Sequence, residues 1–485
     1  MKRTAIGIAA AALGACAGAP PPAPQVPRAE SYTTTPVDLA AGGAAAAQRF
    51  VAGSEMPALW WTLFRSSALD ALVRQALQAS PTIERAGARL RQAQQDLDAR
   101  SGATGTPSVD ASLRANHVDL DPAAVGARGL PLQTPFALYL ATVGVSYSVD
   151  LFGVTRNELA ALASEVGRQR FDLEAARLML AGNVVTAAIR EAQLREQIAH
   201  SEAIVALQAE QLAIAERLQQ LGTAAASEVA ARQLDLARAR ATLPDLRRQL
   251  EQVRHRLAVY TGQAPGAAQL PAMQLADLEL PVELPLSLPS ELARQRPDIR
   301  AAEALLQQAG ARVGVATANL YPQLTLSATV GSIGSSHGAD LFAAGSGLAL
   351  LGATLAQPIF HGGELQARRR SAIAAYEQAG AAYREVVLQG LRDVADVLRA
   401  LEADGRRLRE RSEALAQAQR LHGIAAGRYQ AGGLSRLALL DAQRTLQTAR
   451  LEHAQAAADR LADSAALLQA LGGGWWKDAP HDAAR

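Results

Sequence analysis

Residues 428–450 read RYQAGGLSRLALLDAQRTLQTAR. A long helical pattern runs into Gly432-Gly433, breaks there and resumes at once. Residues 217–240, RLQQLGTAAASEVAARQLDLARAR, do the same at Gly222. The chain therefore predicts two long helical hairpins, and the matching placement of their turns points to an internal repeat with an offset of about 210 residues.

Other segments follow that offset. SPTIERAGARLRQA from Ser80 answers to RPDIRAAEALLQQA from Arg296, TPSVDASLRA from Thr106 to YPQLTLSATV from Tyr321, and DLFG from Asp150 to PIFHGG from Pro358. Each half reads as helix, strand, loop, strand, very long helix, turn and long helix. The first repeat spans 56–262, with strands at about 107–118 and 139–150 and a tip near 222. The second spans 291–474, with strands at about 322–334 and 347–358 and a tip near 432. A Pro-rich linker, 263–290, separates them and is not expected to be one regular element. The long helices, from about Val154 to Leu221 and Glu364 to Gln430, would each run on the order of 100 Å, which suggests a coiled coil or helical array.

Ile373, Val387, Val394, Leu401, Leu408 and Leu415 fall on one seven-residue line, with Gly380 in the missing place. Such a line implies supercoiling against a partner. The first long helix carries two lines, Ile198-Val205-Leu212 and Leu207-Ile214-Leu221. They are separated by about 200° around the helix. Apolar seams on two sides mean a neighbour on each side, as in a sheet of helices, a closed helical tube or a bundle interior.

The strands alternate. Val109, Ala111, Leu113 and Ala115 take turns with Ser108, Asp110, Ser112 and Arg114, and similar patterns cover Val143–Asp150 and Leu324–Gly331; a less clean one covers about Leu348 to Gln357. A soluble sandwich shares this alternation, but so does a tilted membrane strand of about 9 to 11 residues. Four strands cannot close a barrel, which needs about eight, and lipid forbids an open edge. Membrane strands would therefore have to be pooled among several chains.

Composition agrees. Of 485 residues, 49% are hydrophobic but only 4% aromatic; Ala-, Leu-, Gln- and Arg-rich windows suit helices that approach closely. A net charge of +2 gives no basic field for nucleic acid. Lys2 and Arg3 precede a short apolar run and Leu13-Gly14-Ala15-Cys16, which predicts a signal peptide over 1–15. LGAC resembles a bacterial lipobox, and the resemblance implies that Cys16 becomes the lipid-modified first residue of a Pro-rich tether, 16–55; the alternative is an ordinary secretory signal with a chance Cys. In the lipoproteins it resembles, Ala17 rather than Asp favours outer-membrane sorting. No other segment offers about 20 uninterrupted apolar residues.

Together, LGAC, ALWWTLF (58–64), SVDLFG (148–153), RPDIRAAEALLQQAGARVGVATANLYPQLTL (296–326), QPIFHGG (357–363), RYQAGGLSRLALLDAQR (428–444) and ALGGGW (470–475) resemble a TolC-like outer-membrane factor of the lipoprotein, NodT-type branch. The resemblance covers nearly the whole mature chain. It implies a homotrimer whose four strands per chain build a twelve-stranded outer-membrane barrel, continued by a long periplasmic helical barrel. It also implies a periplasmic membrane-fusion adaptor and an inner-membrane efflux pump of RND type as partners, outer-membrane lipid around the barrel, and no cofactor beyond the covalent lipid at Cys16. The chain would be a passive exit duct rather than an enzyme.

Leu437, Asp441 and Arg444 sit at i, i+4 and i+7, on one helix face. By spacing alone Asp441 and Arg444 are an exposed pair; the resemblance makes the triplet the periplasmic gate, three stacked rings in a trimer. It likewise makes Gly222, Thr223 and Ala224 with Gly432, Gly433, Leu434 and Ser435 the adaptor-docking tips. His361, the LRDVADVL stretch from Leu391 and the Ala-rich first tip, with Glu228 its nearest carboxylate, depart from the family pattern and leave lumen charge and substrate open. Trp60-Trp61 and Trp475-Trp476 lie far from the strands and are expected to pack in the periplasmic part. Residues 475–485 are expected to form a C-terminal tail.

Two other classes compete. A pore-less periplasmic coiled-coil lipoprotein, an adaptor or scaffold, explains the anchor and heptads but not the paired amphipathic strands. A hydrolase rests on GSSHG, 334–338, where Ser336 would be a nucleophile; the motif requires strand, tight turn and helix, and a Gly-rich loop and strand are expected instead. The eight histidines show no metal-ligand spacing and no phosphate loop appears.

Overall fold

The computed structural model describes residues 29–35, 37, 48–53, 56–119, 135–335 and 337–477. The expected signal peptide, Cys16, most of the expected tether, Ser336 and residues 478–485 lie outside the described residues.

In chain order the elements are β1 (Arg49–Ala52), a 3-10 turn (Trp60–Phe64), α1 (Ser67–Ala79), α2 (Pro81–Gly105), β2 (Ser108–Val118), β3 (Phe136–Val149), α3 (Val154–Gln220), α4 (Ala226–Tyr260), β4 (Glu283–Leu286), α5 (Pro289–Gln295), α6 (Pro297–Ala318), β5 (Gln323–Ser335), β6 (Gly347–Ala356), α7 (Glu364–Gln430) and α8 (Arg436–Ala470). Both hairpins have a 67-residue first helix and a 35-residue second. Among the described residues no helix is long and apolar enough to cross a membrane.

Chain contacts divide these elements into two compact units, and each repeat contributes to both. One unit holds residues 90–169 and 302–383. Its centre is an antiparallel sheet in the order β2-β3-β5-β6. Cross-strand partners put apolar beside apolar: Val109 faces Val145, which faces Ala328, which faces Leu351. Because side chains alternate along a strand, this register gathers the apolar set on one side. That side is bare. Val109, Leu113, Leu351 and Leu355 are 66%, 74%, 85% and 64% exposed. The first edge, β2, and the last, β6, have their outer hydrogen-bonding sides unpaired in the sheet order.

The other unit holds the described residues of 25–89, with 170–301 and 384–477. Its core is built around Trp60, Phe64, Leu69, Val184, Leu194, Leu257, Val394, Leu401 and Leu467. Trp60 and Trp61 are almost fully buried there, edge to face at 6.0 Å, and Trp61 Nε1 donates to Asp70 at 2.9 Å. Trp475 Nε1 donates to the Gln295 carbonyl at 2.7 Å. Toward the tip of the second hairpin the contact between α7 and α8 is made largely of alanine, with Ala418 against Leu446 and Ala449, and Ala425 against Leu439 and Ala442. Small side chains let the two backbones approach, which explains an Ala-rich, aromatic-poor composition.

The seven-residue line of α7 is buried at Val387, Val394 and Leu401. Of the two lines on α3, Ile198, Val205, Leu212, Leu207 and Ile214 are half-buried. Leu221 is 61% exposed and falls just past the helix, in the tip.

Two parts of the chain are more ordered than composition suggested. The linker contains β4, which pairs in parallel with β1 from the end of the tether, and it inserts Met273, Leu278 and Leu284 into the core. Pro285 does not prevent this. A two-stranded ribbon is all edge, so a residue without an N–H can sit on its outer side.

Candidate functional site

The hairpin ends are shaped by the backbone first. At the first tip Gly222 has φ +73°, and the Thr223 N–H returns to the Leu218 carbonyl at 2.9 Å. At the second, Gly432 has φ +72° and the Gly433 N–H returns to the Arg428 carbonyl at 2.8 Å. This is the left-handed helix stop that glycine adopts without steric cost. Ser435 then caps α8, its hydroxyl accepting from the Ala438 N–H at 3.2 Å, whereas α4 begins at Ala225 with no side-chain cap. Leu434 packs on the small cluster of Ala425, Leu439 and Ala442. The tip residues are exposed except Leu434 and Ala224, which are partly covered.

One to three turns into α8 stand Leu437, Asp441 and Arg444. Arg444 Nη2 lies 3.7 Å from Asp441 Oδ1, so the i, i+3 pair exists. The same oxygen accepts a hydrogen bond from Gln211 Nε2 of α3 at 2.9 Å, and Arg232 Nη1 of α4 lies 4.0 Å away. Asp441 therefore ties the second hairpin to both helices of the first. Gln211 is 1% exposed, and its own oxygen faces Arg232 at 3.5 Å. A second tie lies beside it: Arg436 pairs with Glu210 at 2.7 Å and places its guanidinium 5.8 Å from the centre of the Tyr429 ring. Leu437 is half-buried on the same helix. Arg444 also lines a groove of about 560 Å³ with Thr445, Thr448 and Leu421, and its Nε has no hydrogen-bond partner.

The motif contained Asp441 and Arg444 but not Gln211, Arg232, Glu210 or Arg436. The available signal was Gln211 itself, a polar side chain within the apolar face of α3. A buried amide is retained where it has a hydrogen-bond partner.

Farther along the same hairpin is a buried polar layer. Arg460 is 1% exposed; its Nε donates to Gln48 at 2.8 Å, and Gln48 Nε2 donates to Ser464 and the Pro281 carbonyl. Asp404 pairs with Arg407 at 2.5 Å, and Arg407 with Asp459 at 3.0 Å. Burial, then a hydrogen bond with Asp404 and the charges of Asp404 and Asp459, push the Asp463 carboxyl up to about 7, against the opposing pull of Arg407. Burial also raises Asp459, with Arg407 and Arg190 opposing. A carboxyl raised in the folded state favours folding when protonated. Its contribution is complete below the ordinary carboxylate range and is lost as pH rises through about 7. Thermal unfolding between pH 5 and 8, in steps of about one unit, is expected to show a falling midpoint. Asp463→Asn should flatten that profile and raise the midpoint at pH 8 by a few degrees. Parallel profiles for the two proteins would contradict the assignment.

Among the described residues no group of three His, Cys, Asp or Glu side chains could hold a metal ion. Around the GSSHG motif, Gly334 and Ser335 end β5, and a short 3-10 turn, Gly338–Phe342, leads into β6 rather than into a helix.

Comparison with known proteins agrees with the open sheet and paired hairpins. The chain is 33% identical over 452 residues to the pyoverdine export outer membrane protein OpmQ of Pseudomonas aeruginosa, covering 92% of this chain and 94% of that one. It is 28% identical over 431 residues to the toluene efflux pump outer membrane protein TtgC of Pseudomonas putida, covering 86% and 85%. Its fold superposes on the outer-membrane channel OprN with a TM-score of 0.80 at 27% identity, over 95% of this chain and all of that one. A pore-less scaffold accounts for none of this. The model of the outer membrane efflux protein family matches residues 72–263 and again 288–473, and the chain belongs to that family.

Proposed function

We propose that three copies of this chain close their sheets into one twelve-stranded barrel and serve as the passive outer-membrane exit duct of a tripartite efflux system. A periplasmic membrane-fusion adaptor would dock at Gly222-Thr223-Ala224 and Gly432-Gly433-Leu434-Ser435. An inner-membrane pump of RND type would supply the energy. Leu437, Asp441 and Arg444 would gate the periplasmic end, lipid on Cys16 would anchor the tether after removal of residues 1–15, and no catalysis would be involved. Relatives named for pyoverdine export and toluene efflux support small organic solutes as cargo.

The observation that carries this reading is the bare, open sheet. A membrane strand must satisfy its backbone without water, and β2 and β6 leave one edge each to do so. The repeat indicates how. Phe152, just after β3, stacks on Tyr321, just before β5, at 5.1 Å and 14°. Phe360 occupies the corresponding place after β6 and is 84% exposed, with Ile359 at 94%. If β6 meets β2 of a second copy as β3 meets β5, Phe360 falls beside Thr106 and Pro107 of that copy, and Ala353 falls opposite Leu113.

The test is a Leu113→Cys, Ala353→Cys double variant in mild detergent. Cys16 is the single native cysteine. Oxidation is expected to give covalent dimers and trimers, and the reconstituted wild type should conduct ions. A single-copy species that neither cross-links nor conducts would end the duct reading.

A further inference from the structure

We infer that the cavity between α2, α3, α6 and α7, next to the sheet, is a binding site for amphiphilic organic anions in transit. Its role as a transit site rests on the duct reading above. The cavity measures about 410 Å³ and lies wholly within the unit that contains the sheet. Ligand sites are commonly about 300–1,000 Å³, mostly apolar, with a few convergent polar groups.

Its position follows from connectivity. α2 leads into β2, β3 leads into α3, α6 leads into β5, and β6 leads into α7. The four helices therefore follow the strand order β2-β3-β5-β6. The cavity is lined by residues of the first and fourth helices as well as the middle two. A space that touches both ends of a row and its centre lies on the concave side of that row. In a closed ring of three such rows, the concave side is the inside.

Its chemistry follows from the lining. Leu162, Val315 and Leu365 supply apolar surface. Three arginines, Arg100, Arg312 and Arg368, stand against one carboxylate, Glu158. Arg100 Nε holds Glu158 at 2.9 Å, so that negative charge is already matched. Arg368 pairs with Glu364, but both side chains are at least half exposed, where such a pair is weak and readily exchanged. Arg312 is exposed and has no ion-pair partner among the described residues. An apolar floor with excess guanidinium at its rim fits a molecule with an apolar body and one sulfonate, carboxylate or phosphate. Guanidinium groups favour such oxyanions through paired N–H donors.

The probes are 1-naphthalenesulfonate and the naphthylmethylammonium cation of similar size. Added to the barrel side of reconstituted wild-type channels, the sulfonate is expected to block current saturably. The cation should need about tenfold more, the equivalent of about 1.4 kcal/mol. Arg312→Gln with Arg368→Gln, both at exposed positions, should raise the half-blocking sulfonate concentration about tenfold. Calorimetric titration of the detergent-solubilised protein reads the same binding without needing a pore. Conducting channels with no saturable sulfonate block, equal block by both ions, or block and binding unchanged in the double variant would overturn the site while leaving the duct intact. Calorimetric binding that is anion-selective and lost in the double variant would support the site even if no current were seen, and would then count only against the duct.

Discussion

Asp441→Ala is expected to raise the resting conductance of the reconstituted channel about tenfold. The carboxylate accepts a hydrogen bond from Gln211 at 2.9 Å and lies within 4.0 Å of Arg232 and Arg444, so it joins α8 to both helices of the first hairpin. The two ion pairs are long and their side chains are partly exposed, and each is worth at most about 1 kcal/mol. The charge-assisted bond from a buried amide is stronger, about 1.5–3 kcal/mol before discounting for the exposed carboxylate. On the gate proposed above these contacts belong to the closed state, and a net loss of about 1.4 kcal/mol from it multiplies the open population tenfold while that population remains small. Asp441→Asn keeps an acceptor for Gln211 and should fall between wild type and Asp441→Ala. Adding Arg444→Ala to Asp441→Ala should change little, because residues acting through a shared partner are not additive. Planar-bilayer recordings of the four proteins decide the matter; equal closed-state conductance would remove Asp441 from the gate.

Phe64→Ala is expected to lower the stability of the core-bearing unit by about 3–5 kcal/mol. Phe64 is 0% exposed and packs in the main core with Trp60. Its carbonyl accepts the Glu279 N–H at 3.0 Å, which holds the linker in place. Truncating a fully buried phenylalanine forfeits its transfer energy and leaves a cavity that the surrounding side chains fill only in part. Leu388→Ala on α7, at a 50% exposed position, should cost about 0.5 kcal/mol or less. Denaturant titration of the two variants provides the comparison, and a Phe64→Ala midpoint matching that of Leu388→Ala would show that this core does not hold the unit together.

The long helices and the four sheet strands were legible because each is governed by local pattern. The second long helix runs from Glu364 to Gln430, as its periodicity predicts, and the first ends at Gln220, one residue before the expected boundary. The β3 strand begins at Phe136, earlier than its cleanest alternation, because the less regular FALY segment still finds partners on β2. The β1–β4 pair was not legible. Four-residue strands carry too little alternation to read, and their pairing joins segments more than two hundred residues apart.

Within the proposed gate, LALLDAQR marks one helix face, but nothing local says that Asp441 meets Gln211 across the hairpins. Likewise Asp463 is an ordinary carboxylate in the sequence, and its raised pKa arises from burial beside Asp404 and Asp459.

Periodicity, glycine placement and duplication are properties of neighbours along the chain, and they were enough to establish two hairpins, four amphipathic strands and a sheet too small to close alone. Which polar groups meet across helices, which carboxyl holds a proton, and where three arginines converge on an apolar hollow depend on packing between segments far apart in the chain. Such contacts leave no periodic trace in the residues that make them, so only the folded arrangement decides them.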